Sequence, residues 1–87
     1  MAEPYKTTPV WDEHTLPAAI RGDHSTKAGV WGLLCVLEGE ARLVFHEPRR
    51  EVQVTPGYPG KIPPTQIHHV ELTGPARLFV GFYHEEP

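Results

Sequence analysis

Apolar and polar residues alternate over many short stretches of this chain. The clearest case follows a proline-stiffened turn, Lys61-Ile62-Pro63-Pro64-Thr65-Gln66-Ile67-His68-His69-Val70-Glu71-Leu72. Side chains two apart line one face of a strand. If Val70 and Leu72 face a core, His68 faces it too, while His69 and Glu71 face water and can interact there. Val30 to Leu37 is apolar at both parities, as expected of a strand covered on both sides. The pattern predicts strands at Tyr5–Val10, Val30–Glu38, Ala41–His46, Glu51–Thr55, His68–Leu72 and Ala76–Tyr83.

Eight glycines and ten prolines punctuate these stretches, and the longest run free of both is Thr65 to Thr73. Gly and Pro cost roughly 1 and 3 kcal/mol inside a helix, so little room is left for one. Asp12 to Pro17 is read as a helical turn or a loop. Turns are expected at Leu37-Glu38-Gly39-Glu40, with Gly39 at positive φ, at His46-Glu47-Pro48-Arg49-Arg50, at Thr55-Pro56-Gly57-Tyr58-Pro59-Gly60 and at Thr73-Gly74-Pro75. Many short strands at close spacing indicate an all-β sandwich or barrel.

The 87 residues form one expected domain, 1–87 with a core of about 5–83. Its modest size means that a partner subunit would help bury apolar surface, and a homodimer is expected. The formal charge of −3 argues against a surface that grips nucleic acid. Cys35 is the only cysteine, so neither an internal disulfide nor a cysteine-based zinc site can form. It sits in an apolar run and reads as a core thiol. No basic-then-apolar leader and no spanning-length apolar run is visible, and a cytoplasmic protein with no membrane partner is the default.

The hairpin around Val36-Leu37-Glu38-Gly39-Glu40 and the segment Gly60-Lys61-Ile62-Pro63-Pro64 through His68 resemble the two motifs of cupins, jelly-roll β-barrels. Pro9-Val10-Trp11, Leu16-Pro17, His24 with Thr26-Lys27, Gly29-Val30-Trp31-Gly32, Val70-Glu71 and Gly81-Phe82-Tyr83 narrow the likeness. Together these residues are similar to a small cupin family. It occurs alone, as the YeaR-like proteins, and as the N-terminal domain of TehB-type tellurite-resistance methyltransferases. The resemblance implies a single cupin-like jelly roll in a stress or metalloid-resistance setting. The sequence carries no Gly-rich strand-to-helix motif to cradle S-adenosylmethionine, so methylation by that route is not expected of it.

A metal-binding cupin takes two histidines and a carboxylate from its first motif and a histidine from its second. By resemblance His24 stands at the first histidine and His68 at the last, whereas Thr26 replaces the second and no carboxylate falls near Trp31 to Leu33. His24 and His68 are therefore the candidate metal ligands, for a divalent Zn, Fe, Ni or Cu ion. A third donor would come from His46, His84, Asp23 or water, and spacing nominates none of them. Lys27 would add positive charge at the same mouth, and Trp31 would wall the pocket. His14, His46, His69 and His84 otherwise read as surface histidines, and Arg49-Arg50 as a solvated hairpin tip.

The expected function is a binding module that holds a small polar molecule, oxyanion or metal ion at His24, Lys27, Trp31 and His68. No catalytic set is singled out. The alternatives are a metal-dependent cupin enzyme of oxygenase or isomerase type, and a regulatory domain acting in trans with a methyltransferase.

Overall fold

The computed structural model describes residues 3–87; Met1 and Ala2 lie outside the described residues. Eight strands and one short helix follow in the order β1 (Lys6–Thr7), β2 (Trp11–Asp12), α1 (Ala18–Arg21), β3 (Trp31–Glu38), β4 (Ala41–His46), β5 (Arg49–Val54), β6 (Gly60–Ile62), β7 (His68–Glu71) and β8 (Arg77–Tyr83). The chain is mostly β, as its punctuation predicts, and all pairings are antiparallel.

The strands form two sheets. One runs β1-β8-β3-β6, with β2 also on β8, and the other runs β5-β4-β7. Their inner faces meet in one core. Leu34 and Val36 of β3, Ile62 of β6 and Leu78 and Val80 of β8 come from the first sheet. Leu43 and Phe45 of β4, Val54 of β5 and Val70 of β7 come from the second. Each fully buried aliphatic or aromatic side chain contributes roughly 1.5–3 kcal/mol relative to exposure.

On β3 the inward set is Gly32, Leu34 and Val36, and Trp31, Leu33 and Cys35 on the other face are half-buried. The expected strand at Ala41–His46 is found with those bounds. Of the expected strand at Tyr5–Val10 only Lys6–Thr7 forms, and β2 begins beyond it at Trp11. Pro9, which has no N–H to give, separates β1 from β2, and both pair with β8. The strand β6 lies where a loop's end was expected. Its three residues, bounded by Pro59 and Pro63, are too few to show alternation. Gly60 is needed there for close approach, since a Cβ would lie 2.9 Å from Val54 Cγ2 and 3.0 Å from Leu43 Cδ2.

Gly39 has φ +78° in the β3–β4 turn, as its place in the hairpin predicts. The one-turn helix α1 begins after Pro17, just past the stretch read as a turn. Asp12 Oδ1 accepts from the backbone N–H of His14 at 2.8 Å and of Thr15 at 2.9 Å, so that stretch is a capped turn. These hydrogen bonds hold the Asp12 carboxyl below its usual pKa, foremost that from His14. Arg50 is not simply solvated: its guanidinium carbon sits 4.0 Å from the Phe45 ring centroid.

Candidate functional site

An isolated antiparallel bridge joins the segment before β3 to the start of β7. The N–H of His24 donates to the carbonyl of His68, and the N–H of His68 to that of His24, each at 2.9 Å. The bridge turns both side chains to the inner face, and their ring centroids are 4.1 Å apart with planes tilted by 58°. His68 is 1% exposed and lies beside Phe45, at a ring distance of 5.9 Å.

Each ring is oriented by the same local device. His24 Nδ1 lies 2.9 Å from the carbonyl oxygen of Gly22, and His68 Nδ1 lies 2.8 Å from that of Gln66. A carbonyl oxygen only accepts, so Nδ1 carries a proton in both rings, and in the neutral form of either ring the lone pair is on Nε2. Burial pushes the His68 pKa below 6.5, against the Gln66 bond that favours the charged form. His68 is thus a neutral imidazole at pH 7.

The two histidines border a cavity of about 320 Å³. Ile20, Val30, Ile62, Val70, Val80 and Phe82 make its wall mostly apolar, and Ser25, Thr26 and Lys27 edge it with polar atoms. Three of the four expected ligand-binding residues, His24, Lys27 and His68, therefore converge. Lys27 is exposed and makes no salt bridge among the described residues. Trp31 is not among the lining residues, which corrects the expectation. It lies on the outer parity of β3, opposite Tyr83. The loop next to the cavity is held by Thr65, whose N–H donates to the Thr26 carbonyl at 3.1 Å. Thr65 does so with φ 65°, an uncommon conformation for a β-branched residue.

As a metal centre, His24 and His68 supply two nitrogens, short of the three or four protein ligands usual for zinc and its neighbours. Asp23 and His46, named from sequence as third donors, do not join them. They gather instead with His69. His46 Nε2 lies 2.9 Å from His69 Nδ1 and 3.1 Å from Asp23 Oδ1, and His69 Nδ1 lies 3.5 Å from Asp23 Oδ1.

The expected contact of His69 with Glu71 is present, Nε2 to Oε2 at 2.7 Å. That hydrogen bond is the main reason the Glu71 carboxyl titrates below its usual range. His69 is nevertheless no solvated surface residue, since its side chain is only 15% exposed. Alternation places His69 on the outer face but says nothing of Asp23 and His46, which come from two other segments. His84 stacks on Tyr5 with ring centroids 4.0 Å apart, and Tyr5 in turn lines the cavity that His24 and His68 border.

Known proteins place this architecture. The probable S-adenosyl-L-methionine-dependent methyltransferase TehB of Haemophilus influenzae is 36% identical over an alignment covering 91% of this chain and 30% of that protein. This chain thus spans about 30% of the length of the curated relatives it matches. The crystal structure of TehB from Haemophilus influenzae superposes with a TM-score of 0.83 at 32% identity, over 93% of this chain and 30% of that one. A crystal structure of a protein from E. coli strain K12 shares the fold with a TM-score of 0.85 at 22% identity, over 99% of this chain and 92% of that one. The TehB-like domain family matches residues 6–80, and the chain belongs to that family.

Proposed function

We propose that this domain is a small-ligand binding module on a cupin-like jelly roll, with the cavity beside His24 and His68 as its site. The observation that carries this reading is the matched tethering of the two imidazoles. Both Nδ1 atoms are tied to backbone carbonyls, which leaves two Nε2 lone pairs for the hydroxyl or N–H donors of a guest. The apolar wall favours a compact molecule with one polar end. Lys27 at the rim favours a ligand whose polar end is also anionic, as an oxyanion that keeps one hydroxyl would be. A divalent ion on His24 and His68 alone would need its remaining donors from the guest or from water.

The likeness to TehB-type proteins supports a role in a tellurite or metalloid-resistance setting, alone or in trans with a methyltransferase. The half-buried outer face of β3, with Leu33 and Cys35 beside exposed Leu37, supports pairing of two copies. Among the described residues no helix is long and apolar enough to cross a membrane.

The test is NMR titration of the 15N-labelled protein with potassium tellurite, sodium selenite, sodium phosphate and a panel of small organic acids. Saturable shifts at Val30, Phe82 and the imidazoles of His24 and His68, lost in His24→Ala, are expected. Shifts confined to surface residues far from these positions, or none at millimolar probe, would remove this reading.

A further inference from the structure

The bridge that turns His24 and His68 inward turns their neighbours outward. Asp23 and His69 therefore meet on the opposite face of the sheet. On β4 the register pairs Phe45 with His68 and Val44 with His69. His46 shares the outward parity of Val44, and its N–H donates to the carbonyl of Ile67 at 3.2 Å. Three separate segments thus bring one carboxylate and two imidazoles to a single point.

The triangle has the dimensions of a coordination shell. Donors bound at about 2.0–2.1 Å from one ion lie about 2.9 Å apart at right angles and about 3.4 Å apart at the tetrahedral angle. The three observed edges are 2.9, 3.1 and 3.5 Å.

The protonation pattern also fits. Glu71 Oε2 accepts from His69 Nε2 at 2.7 Å, so the lone pair of His69 is on Nδ1, facing His46 and Asp23. Glu71 is itself held by Arg42 Nη1, 3.3 Å from its Oε1. A carboxylate behind a histidine, fixing its tautomer and ring plane, is the usual support of a metal-bound imidazole. With no cation present, two acceptors, Asp23 Oδ1 and His69 Nδ1, share whatever proton His46 Nε2 offers. A metal ion satisfies all three donors at once.

We propose that Asp23 Oδ1, His46 Nε2 and His69 Nδ1 hold one divalent transition-metal ion, with Glu71 as the positioning residue behind His69. Two imidazoles and a carboxylate suit zinc, iron(II), cobalt(II) or nickel(II). Asp23 is 61% exposed, so water reaches the remaining coordination positions. The ion fastens the loop carrying Asp23 to β4 and β7. Because His24 is the next residue, it also steadies the wall of the cavity on the other face. The site does not depend on what the cavity binds.

The test uses the untagged full chain, stripped with chelator, exchanged into chelator-free buffer and titrated with cobalt(II) chloride. Visible absorption, bound cobalt and the melting temperature are recorded. The expected result is one equivalent of cobalt, new d–d bands and a higher melting temperature. Asp23→Asn and His46→Gln, with folding checked by circular dichroism, are expected to weaken binding at least 10-fold. Glu71→Gln is expected to weaken it about 10–100-fold. His24→Gln should bind as the parent does.

The proposal is overturned by the absence of stoichiometric cobalt on the parent protein, or by parent-like binding in both Asp23→Asn and His46→Gln. Loss in His24→Gln alone also overturns it, by moving the ion into the cavity. Should a variant fail to fold, paramagnetic shifts in the parent decide the matter. They are expected to be largest on the His46 and His69 imidazoles, and largest shifts on His24 and His68 refute the site.

Discussion

His24 and His68 bond to each other twice through their backbones, and their rings meet 4.1 Å apart inside the cavity. The two residues nevertheless differ in what they do for the fold. His68 is fully buried against Phe45, whereas His24 is half-buried on a loop. His68→Ala removes a buried ring and leaves the Gln66 carbonyl without its donor. That should destabilise the domain by about 2–4 kcal/mol. His24→Ala loses less packing and should cost about 1 kcal/mol or less. Urea unfolding of both variants measures the contrast. Equal costs would mean that the bridge backbone, not the imidazoles, sets stability here.

The Cys35 thiol provides a pH prediction. Burial raises its pKa above the ordinary value of 9.0. An acid whose folded pKa is raised keeps more protons in the native state than in the unfolded one. Stability is then unaffected below pH 9 and falls as pH rises above 9.0, through the window up to the folded value. The thiolate is also the reactive form. Alkylation of native protein by iodoacetamide should therefore have its pH midpoint above that of the urea-unfolded protein. An equal or lower midpoint would show that the outer face of β3 leaves the sulfur in water.

Alternation made part of this site legible. His68 shares parity with Val70, so its inward aim could be read from residues 68–72, and His69 with Glu71 followed on the other face. His24 was placed by family resemblance alone, because its polar segment has no periodicity to read. The grouping of Asp23, His46 and His69 could not be read at all. It depends on the pairing of β4 with β7 and on a single bridge from residue 24, and neither is encoded in local spacing. The same limit misplaced Trp31. Its segment is apolar at both parities, so only the register against β8 decides that Gly32, Leu34 and Val36 face the core.

Thr65 sits at φ 65°, where a β-branched side chain crowds its own backbone. Its N–H still reaches the Thr26 carbonyl, a contact that any residue but proline would keep. Asn accepts this conformation more readily, so Thr65→Asn should stabilise the domain by about 0.5–1 kcal/mol. Gly relieves the same crowding but gains freedom in the unfolded chain, and Thr65→Gly should come out near neutral. Thermal unfolding of the two variants checks the order. If both lose stability, the side chain of Thr65 makes a contribution that outweighs its strained backbone.

Gly29 and Gly39 separate two reasons for a glycine at nearly the same backbone angle. Their φ values are +77° and +78°. Around Gly29 nothing lies within 4 Å of where a Cβ would stand, whereas at Gly39 that atom would meet the Pro75 carbonyl oxygen at 2.3 Å and Ala76 Cα at 3.1 Å. Gly29→Ala therefore bears only the cost of a left-handed conformation, about 1 kcal/mol. Gly39→Ala adds a backbone clash between the β3–β4 turn and the entry to β8. Neither segment can give way without shifting the β3–β8 register that sets Leu34, Val36, Leu78 and Val80 in the core. Its cost should exceed that of Gly29→Ala by at least about 2 kcal/mol. Denaturant melts of the two proteins under one set of conditions measure that difference directly. A gap below about 1 kcal/mol would mean that the Pro75 turn relaxes, and that the hairpin tolerates a side chain despite its close packing.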